Sequence, residues 1–244
     1  MIRHSFGSTC ASIVWATANR LLFAFWVVAP VLYVTGLLLS PSGAAADVKY
    51  VVKPVTQMKV NQLPKGPLYW RIENFPTLER AKAAAGEYRW NPDTVSYEGL
   101  PSLTAEVAGK VWLFTLGPQG GETPGGTKVA EIGPVPSLPA SEYLLRVNEG
   151  SGPPEAKTPV HSHPGSEAFY VIAGKLGQRT PSGVGYVEAG HTMNGHTGGI
   201  PMQVFNGGTT ELHALIMFVV DATKPFSVPA ELPASKTSQS HTGG

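Results

Sequence analysis

The sequence has little cysteine and little charge, and each shortage excludes a class of protein. Cys10 is the only cysteine among 244 residues, so no disulfide framework can stabilise the fold. Charged residues make up 14% of the chain, and the formal net charge is +1. No run of Lys or Arg follows the first segment, which argues against nucleic acid as a partner. The 28 Gly and 22 Pro favour many short strands joined by turns over a helical bundle.

The first 46 residues contain no Asp, Glu or Lys, and they read as an export segment. Arg3 and Arg20 precede an uncharged stretch of 19 residues, 21–39, which is longer than most signal-peptide cores and close to the ~20 residues that span a bilayer. The small residues at 44–46 are typical of a signal-peptidase site. We therefore predict a cleaved signal peptide or an uncleaved signal anchor over 1–46, with a buried core helix as the alternative.

The positive charges on the N-terminal flank of this segment indicate the orientation of the chain. They predict that the N-terminus stays in the cytoplasm and that residues 47–244 are exported, either periplasmic or secreted, or held at the membrane by the anchor. Any contact with a membrane is then confined to the N-terminal segment.

Turn residues divide the remainder into a linker or first strand at 47–62, one domain at 63–226, and a tail at 227–244. The tail is rich in Ser, Thr, Pro and Gly, which predicts disorder. Thr77 can cap a short helix that Gly86 would stop. Apolar segments of strand length are predicted at Leu68–Ile72, Val111–Leu116, Thr127–Ile132, Glu142–Val147, Ala168–Ala173, Gly185–Val187, Gln203–Phe205 and Leu212–Val220. So many short strands predict a sandwich or a barrel.

The segment from His161 to Glu167, HSHPGSE, carries the strongest chemical signal. Residues i and i+2 of a strand point to one face, so His161 and His163 lie together. A Pro-Gly turn follows, and Glu167 then opens the next strand beside them. Two imidazoles and one carboxylate aimed at one point suit a divalent first-row metal and leave coordination positions open. The alternative is a histidine pair in a surface hairpin that binds nothing.

With Gly174 seven residues after Glu167, this segment resembles the first motif of the cupin superfamily. The resemblance is close over residues 155–221 and extends in architecture over 63–226. It implies an all-β fold, a double-stranded β-helix or jelly-roll barrel, and the Thr77–Gly86 segment adds one short helix to this prediction. It also implies a divalent transition metal, Fe, Mn, Zn, Ni or Cu, bound by His161, His163 and Glu167.

The segment 197–206 is similar to the second cupin motif but departs from it at one position. Gly199, Pro201 and Asn206 fit the motif, whereas Met202 stands where the family has its last histidine ligand. A thioether is a soft ligand that suits copper, but methionine is also a common filler of barrel interiors. Met202 is therefore either a fourth ligand or a packing residue.

Two histidines in the Gly-rich stretch before Met202 are alternative fourth ligands. His196 is the nearer of the two and His191 the more distant, and either can instead be a solvated loop residue. No general base is identified from the sequence, although Glu188 and Glu211 are candidates.

The cupin resemblance implies a metal-dependent enzyme acting on a small molecule, of dioxygenase, decarboxylase, isomerase or lyase type. Because the last histidine is missing, a non-catalytic module that binds a metal or a small molecule is the second hypothesis. A degenerate structural barrel is the third. A small-molecule ligand is the expected partner, and a homodimer is left open.

Overall fold

The computed structural model describes residues 48–86, 89–91 and 96–233, so the predicted export segment lies outside the described residues. The strands are β1 (Val51–Val60), β2 (Tyr69–Phe75), β3 (Arg89–Asn91), β4 (Ser96–Glu98), β5 (Ser102–Val107), β6 (Lys110–Gly117), β7 (Thr127–Ile132), β8 (Tyr143–Gly152), β9 (His161–Ser162), β10 (Gly165–Ala173), β11 (Lys175–Thr180), β12 (Gly183–Glu188), β13 (Thr192–Met193), β14 (Gln203–Asn206), β15 (Leu212–Asp221) and β16 (Val228–Pro229). Within these ranges there is one helix, α1 (Leu78–Ala85), and none long and apolar enough to cross a membrane. The described chain is therefore mostly β, as the composition predicts.

Helix α1 begins and ends where its sequence signals predict. The Oγ1 of Thr77 accepts a hydrogen bond from the Arg80 amide at 3.3 Å, which satisfies one of the free N–H groups of the first turn. Gly86 ends the helix with φ +64°, in the left-handed region that glycine adopts without strain. The predicted cap and stop are confirmed.

A five-stranded antiparallel sheet forms the middle of the domain, in the order β1-β8-β15-β10-β13. Strand β15 lies at its centre and is buried on both faces, because successive side chains enter two different hydrophobic cores. One core takes Leu215, Met217 and Val219, and the other takes Leu212, Ala214, Ile216, Phe218 and Val220. This double burial explains why the segment is continuously apolar rather than alternating.

Two smaller sheets cover the faces of the five-stranded sheet and give a β-sandwich. The first core includes buried residues of the four-stranded sheet β5-β6-β2-β7, with Trp70 and Trp112 among its largest side chains. The second core includes Leu176, Val187 and Val204 of the three-stranded sheet β12-β11-β14. The candidate metal ligands lie on the side of the second core.

Two segments that the sequence assigned to irregular structure contain strands. Residues 51–60 form β1, so this segment is the predicted first strand rather than a linker. Strand β1 pairs with β8 over its whole length. It is an edge strand with mostly exposed residues, which is why its pattern is weak. The predicted disordered tail is corrected at its start, because Val228 and Pro229 pair with Ser162 and His161. Residues 234–244 lie outside the described part of the chain.

Candidate metal centre

The two histidines are held at the edge of the second core by short strand pairings. His161 in β9 exchanges backbone hydrogen bonds of 2.9 and 2.8 Å with Met202, and β9 pairs on its other side with β16. The rings of His161 and His163 face the same side, with centroids 4.9 Å apart and an angle of 82° between their planes. The prediction that the i, i+2 spacing brings both imidazoles to one face is confirmed.

Glu167 reaches the same place from β10, which runs beside β15. Gly165 permits this approach, because a Cβ atom at that position would collide with the carbonyl oxygen of Val219. Glu167 shares its face with Phe169 and Val171, both of which belong to the second core. A carboxyl group is thereby placed at the end of a buried apolar face.

The three predicted ligands form one group. Ligand atoms of His161, His163 and Glu167 all lie within 4.8 Å of one another. The Nε2 atom of His163 is 3.7 Å from Oε2 of Glu167, and both side chains are nearly inaccessible, 4% and 3% exposed. Among the described residues this is the one group of three or more His, Cys, Asp or Glu side chains with such spacing.

The hydrogen bonds of the two imidazoles leave the correct nitrogen free for a metal. The Nδ1 of His161 lies 2.8 Å from the carbonyl oxygen of Pro159, and the Nδ1 of His163 lies 2.6 Å from that of Phe226. A carbonyl oxygen only accepts, so each Nδ1 carries the proton and donates it. The Nε2 lone pairs of both rings are then available to a metal, as in histidine–metal sites whose second nitrogen is fixed by an acceptor.

Burial controls the protonation of the site. Burial lowers the pKa of His163 from 6.5 to about 4, an effect that the hydrogen bond to the Phe226 carbonyl opposes. Burial also raises the pKa of Glu167 from 4.5 to about 8, an effect that the hydrogen bond from Gln178 opposes. At neutral pH without a metal both groups are therefore uncharged, and their 3.7 Å contact is not an ion pair. The site is a set of neutral donors that a cation would convert by displacing the Glu167 proton.

A buried glutamine that was not among the predicted site residues orients Glu167. The Nε2 of Gln178 donates to Oε1 of Glu167 at 2.7 Å, which leaves Oε2 facing His163. The Oε1 of Gln178 accepts in turn from Nε2 of His196 at 3.0 Å. His196, a predicted alternative ligand, thus contacts Gln178 and is linked to Glu167 only through that glutamine. The inward alternation of Leu176, Gln178 and Thr180 along β11 was the only signal for this residue.

Met202 is buried directly behind the carboxyl group. Its side chain is 2% exposed, and its Sδ atom lies 3.5 Å from Nε2 of Gln178, the same nitrogen that binds Glu167. The packing alternative for Met202 accounts for this contact without a metal.

The other candidates lie away from the group. His191 is exposed and its Nδ1 lies 3.0 Å from the Ala189 carbonyl oxygen. The candidate bases Glu188 and Glu211 are exposed, and Glu188 pairs with Lys175 at 3.1 Å. None of the three lines the cavity into which the metal group opens.

That cavity has a volume of about 380 Å³ and is lined by residues of several distant segments. The three candidate ligands line it together with Asn148, Thr158 and Tyr50, and the remaining wall is almost entirely apolar: Val52, Pro159, Val160, Val204, Ile216, Phe218, Phe226 and Pro229, with Ser227. Its size suits a small organic molecule beside the metal position.

Comparisons with known proteins give structural neighbours only. No protein-family profile matches the chain, and no curated protein sequence matches it. A DMSP lyase from Ruegeria pomeroyi is 18% identical, over 37% of this chain and 45% of that chain, with a TM-score of 0.32. A polyketide cyclase from Streptomyces resistomycificus is 21% identical, over 36% of this chain and 61% of the cyclase, with a TM-score of 0.31.

A cupin-like protein from Thermotoga maritima is 16% identical, over 37% of this chain and 68% of that chain, with a TM-score of 0.33. The chain spans less than half the length of the DMSP lyases and of an oxalate oxidase that it matches, at 44% and 45%. One of these neighbours, the Thermotoga maritima protein, is described as cupin-like, which is the family that the motif at 161–174 resembles.

Proposed function

We propose that the chain is a jelly-roll cupin that binds one divalent first-row transition metal through His161, His163 and Glu167 and acts on a small molecule in the adjoining cavity. One observation supports this above all others: ligand atoms of His161, His163 and Glu167 lie within 4.8 Å of one another at the cavity wall, and the backbone carbonyls that bind each Nδ1 leave both Nε2 lone pairs free. A metal bound there supplies a Lewis acid that can polarise a ligand oxygen.

The distances in the group are compatible with binding after a small adjustment. Two atoms that each lie about 2.1 Å from one ion are at most about 4.2 Å apart. The described ligand atoms lie within 4.8 Å of one another, whereas the ligand atoms of a tetrahedral site are about 3.4 Å apart, so the widest pair closes by about 1.4 Å when a metal binds. Rotation of the partly exposed His161 ring, which is fixed by a single hydrogen bond, can supply this movement.

Elemental analysis of residues 47–244, prepared without chelator or metal-affinity resin, tests the proposal. We expect about one transition-metal ion per chain, and loss of stoichiometric binding in His161→Ala and in His163→Ala. His213→Ala is the matched control, because His213 pairs with Glu149 at 2.6 Å and does not line the cavity. An unchanged metal content in the His161/His163 double variant would place the metal elsewhere.

A non-catalytic binding module is the second candidate, and the composition of the cavity wall favours it. Of the described residues, the wall holds one carboxyl group, Glu167, and no Lys or Arg, so they provide no second acid–base pair beside the proposed metal. Incubation of the metal-loaded protein with small carbonyl compounds, followed by product analysis, separates the two functions. Turnover that is lost in His163→Ala supports the enzyme, and binding without turnover supports the module.

We also propose that residues 47–244 lie outside the cytoplasm. The uncharged stretch at 21–39 behind Arg3 and Arg20 supports this. A reporter that is active only in the cytoplasm, fused after residue 60, should be inactive in a bacterial host. The same fusion lacking residues 1–46 should be active and is the control. Strong activity of the complete fusion would refute export.

A further inference from the structure

Tyr50 carries the buried polar group that the metal proposal leaves unexplained. The side chain is 8% exposed and lines the cavity that holds the three candidate ligands. Among the described residues, its hydroxyl is the only buried side-chain N or O atom without a hydrogen-bond partner. Buried hydroxyls are nearly always bonded, so an orphan at a cavity wall calls for a partner that enters from outside.

The surrounding chain makes room for this hydroxyl. Tyr50 directly precedes β1, which pairs with β8. The Tyr50 ring lies against Gly150 and Gly152 of β8. A Cβ atom at Gly150 would lie 2.5 Å from the Tyr50 hydroxyl oxygen and 3.0 Å from Cδ1 of Ile216. Any larger residue at position 150 would displace the phenol, so the position of the oxygen depends on a glycine.

Two other polar side chains of the wall accept hydrogen bonds from the protein. The Oδ1 of Asn148 accepts from Arg146 at 2.8 Å, and Oγ1 of Thr158 accepts from the Val204 amide at 3.1 Å. Asn148, Thr158 and the lining residue Ser227 still carry N–H or O–H donors. Tyr50 differs from them because its oxygen is buried and, among the described residues, lacks any partner, so its hydroxyl gains most from a ligand oxygen.

The charge of the wall restricts the ligand. Among the described residues no Lys or Arg lines the cavity, and its one acidic group is Glu167, so nothing but the metal compensates a negative charge on a ligand. Apart from a few neutral polar side chains, the rest of the wall is apolar. A neutral, mostly apolar molecule with one acceptor oxygen fits these surroundings better than a carboxylate does.

We propose that the Tyr50 hydroxyl donates a hydrogen bond to the oxygen of a neutral, largely apolar carbonyl compound bound in this cavity. The inference deepens the proposed function and rests on it for the role of the cavity. Tyr50 is a binding and orienting residue: it selects for a carbonyl oxygen and holds it on the wall shared with Glu167.

Two probes of the same shape test the hydrogen bond without knowledge of the natural ligand. Acetophenone carries a carbonyl oxygen where α-methylstyrene carries a methylene group. Their dissociation constants are measured by NMR titration on the metal-free protein, for the parent, for Tyr50→Phe, and for the control Tyr170→Phe. Tyr170 packs against Trp112 on the other face of the sheet, so the control removes a hydroxyl from the opposite core.

Loss of one buried hydrogen bond should weaken acetophenone binding to Tyr50→Phe by about fivefold. Binding of α-methylstyrene should stay the same, and Tyr170→Phe should bind both probes like the parent. Tyr50→Phe should also melt at an equal or higher temperature, because an unpartnered hydroxyl is removed from the interior.

Three results would overturn the inference: equal weakening of both probes, no binding of acetophenone to the parent, or a lower melting temperature of Tyr50→Phe. A lower melting temperature would show that the Tyr50 hydroxyl already has a hydrogen-bond partner within the protein. These results are independent of the proposed metal site, because the titrations are done in chelator. Tyr50→Phe should retain the parent's metal content, and a parent that binds acetophenone but no metal would refute the metal proposal alone.

Discussion

Replacing Glu167 with glutamine should change the pH dependence of stability of the metal-free protein. Glu167 is buried, and its one described hydrogen bond is the 2.7 Å bond from Gln178. Burial raises its pKa from 4.5 to about 8. The folded state therefore keeps a proton that the unfolded chain releases between these values, and stability falls as pH rises through that window.

The size of the effect follows from the two pKa values. Their difference of about 3.5 pH units corresponds to roughly 5 kcal/mol, at about 1.4 kcal/mol per unit, if no water or structural relaxation relieves the charge. Glu167→Gln has no proton to lose, and it keeps the size of the side chain. The variant should gain stability relative to the parent by up to about 1.4 kcal/mol per pH unit between pH 4.5 and about 8.

Urea unfolding in chelator, at a series of pH values across this window, measures the free energy of unfolding of both proteins. Burial lowers the pKa of His163 to about 4, which makes stability rise with pH up to the ordinary histidine pKa of 6.5. His163 is present in both proteins, so its contribution largely cancels in the difference. Glu188→Gln is the matched control for the loss of one acidic side chain at the surface.

A saturating metal should narrow the difference between the two proteins, because it stabilises the parent alone. An ion at 100 times its dissociation constant stabilises the parent by about 2.7 kcal/mol and leaves a variant that cannot bind it unchanged. A difference between parent and variant that is flat with pH, or that favours the parent as pH rises, would refute the assignment of Glu167 as a buried neutral acid.

Two further predictions concern the metal itself. Met202→His should tighten zinc binding about tenfold by adding an imidazole behind the carboxyl group, whereas Met202→Leu should leave zinc and copper affinities nearly unchanged. Competition titration with a chromophoric chelator measures the affinities of both variants. A copper-selective loss of affinity in Met202→Leu would instead make the thioether a ligand. Zinc affinity should rise about tenfold per pH unit from about pH 7 to about 8, because the ion displaces the Glu167 proton, and should level off above that. The same competition titration at several pH values measures this rise. A zinc affinity that is independent of pH over that range would show that Glu167 is already ionised.

The local features of the fold could be predicted from the sequence, because they depend on residues close together in the chain. The Thr77 cap and the Gly86 stop define α1 within one short segment. The i, i+2 spacing of His161 and His163, with Glu167 four residues further on, places three ligands in one short segment. The predicted hairpin is wrong, because β9 pairs with β16 and β10 pairs with β15 and β13.

The outer parts of the site could not be predicted, because they come from distant segments. Phe226 lies 63 residues from the histidine that its carbonyl oxygen fixes, and Gln178 lies 11 residues from Glu167 on another sheet. Tyr50 comes from before the edge strand β1, whose exposed residues gave a weak pattern. Only the packing of the two sheets brings these groups together.

The most direct test of the central claim is an anomalous-scattering measurement at the zinc absorption edge on crystals of the zinc-loaded domain. The account predicts one strong peak about 2.0–2.2 Å from Nε2 of His161, Nε2 of His163 and Oε2 of Glu167. A peak at any other group of side chains, or none between these three when zinc binds stoichiometrically in solution, would contradict it.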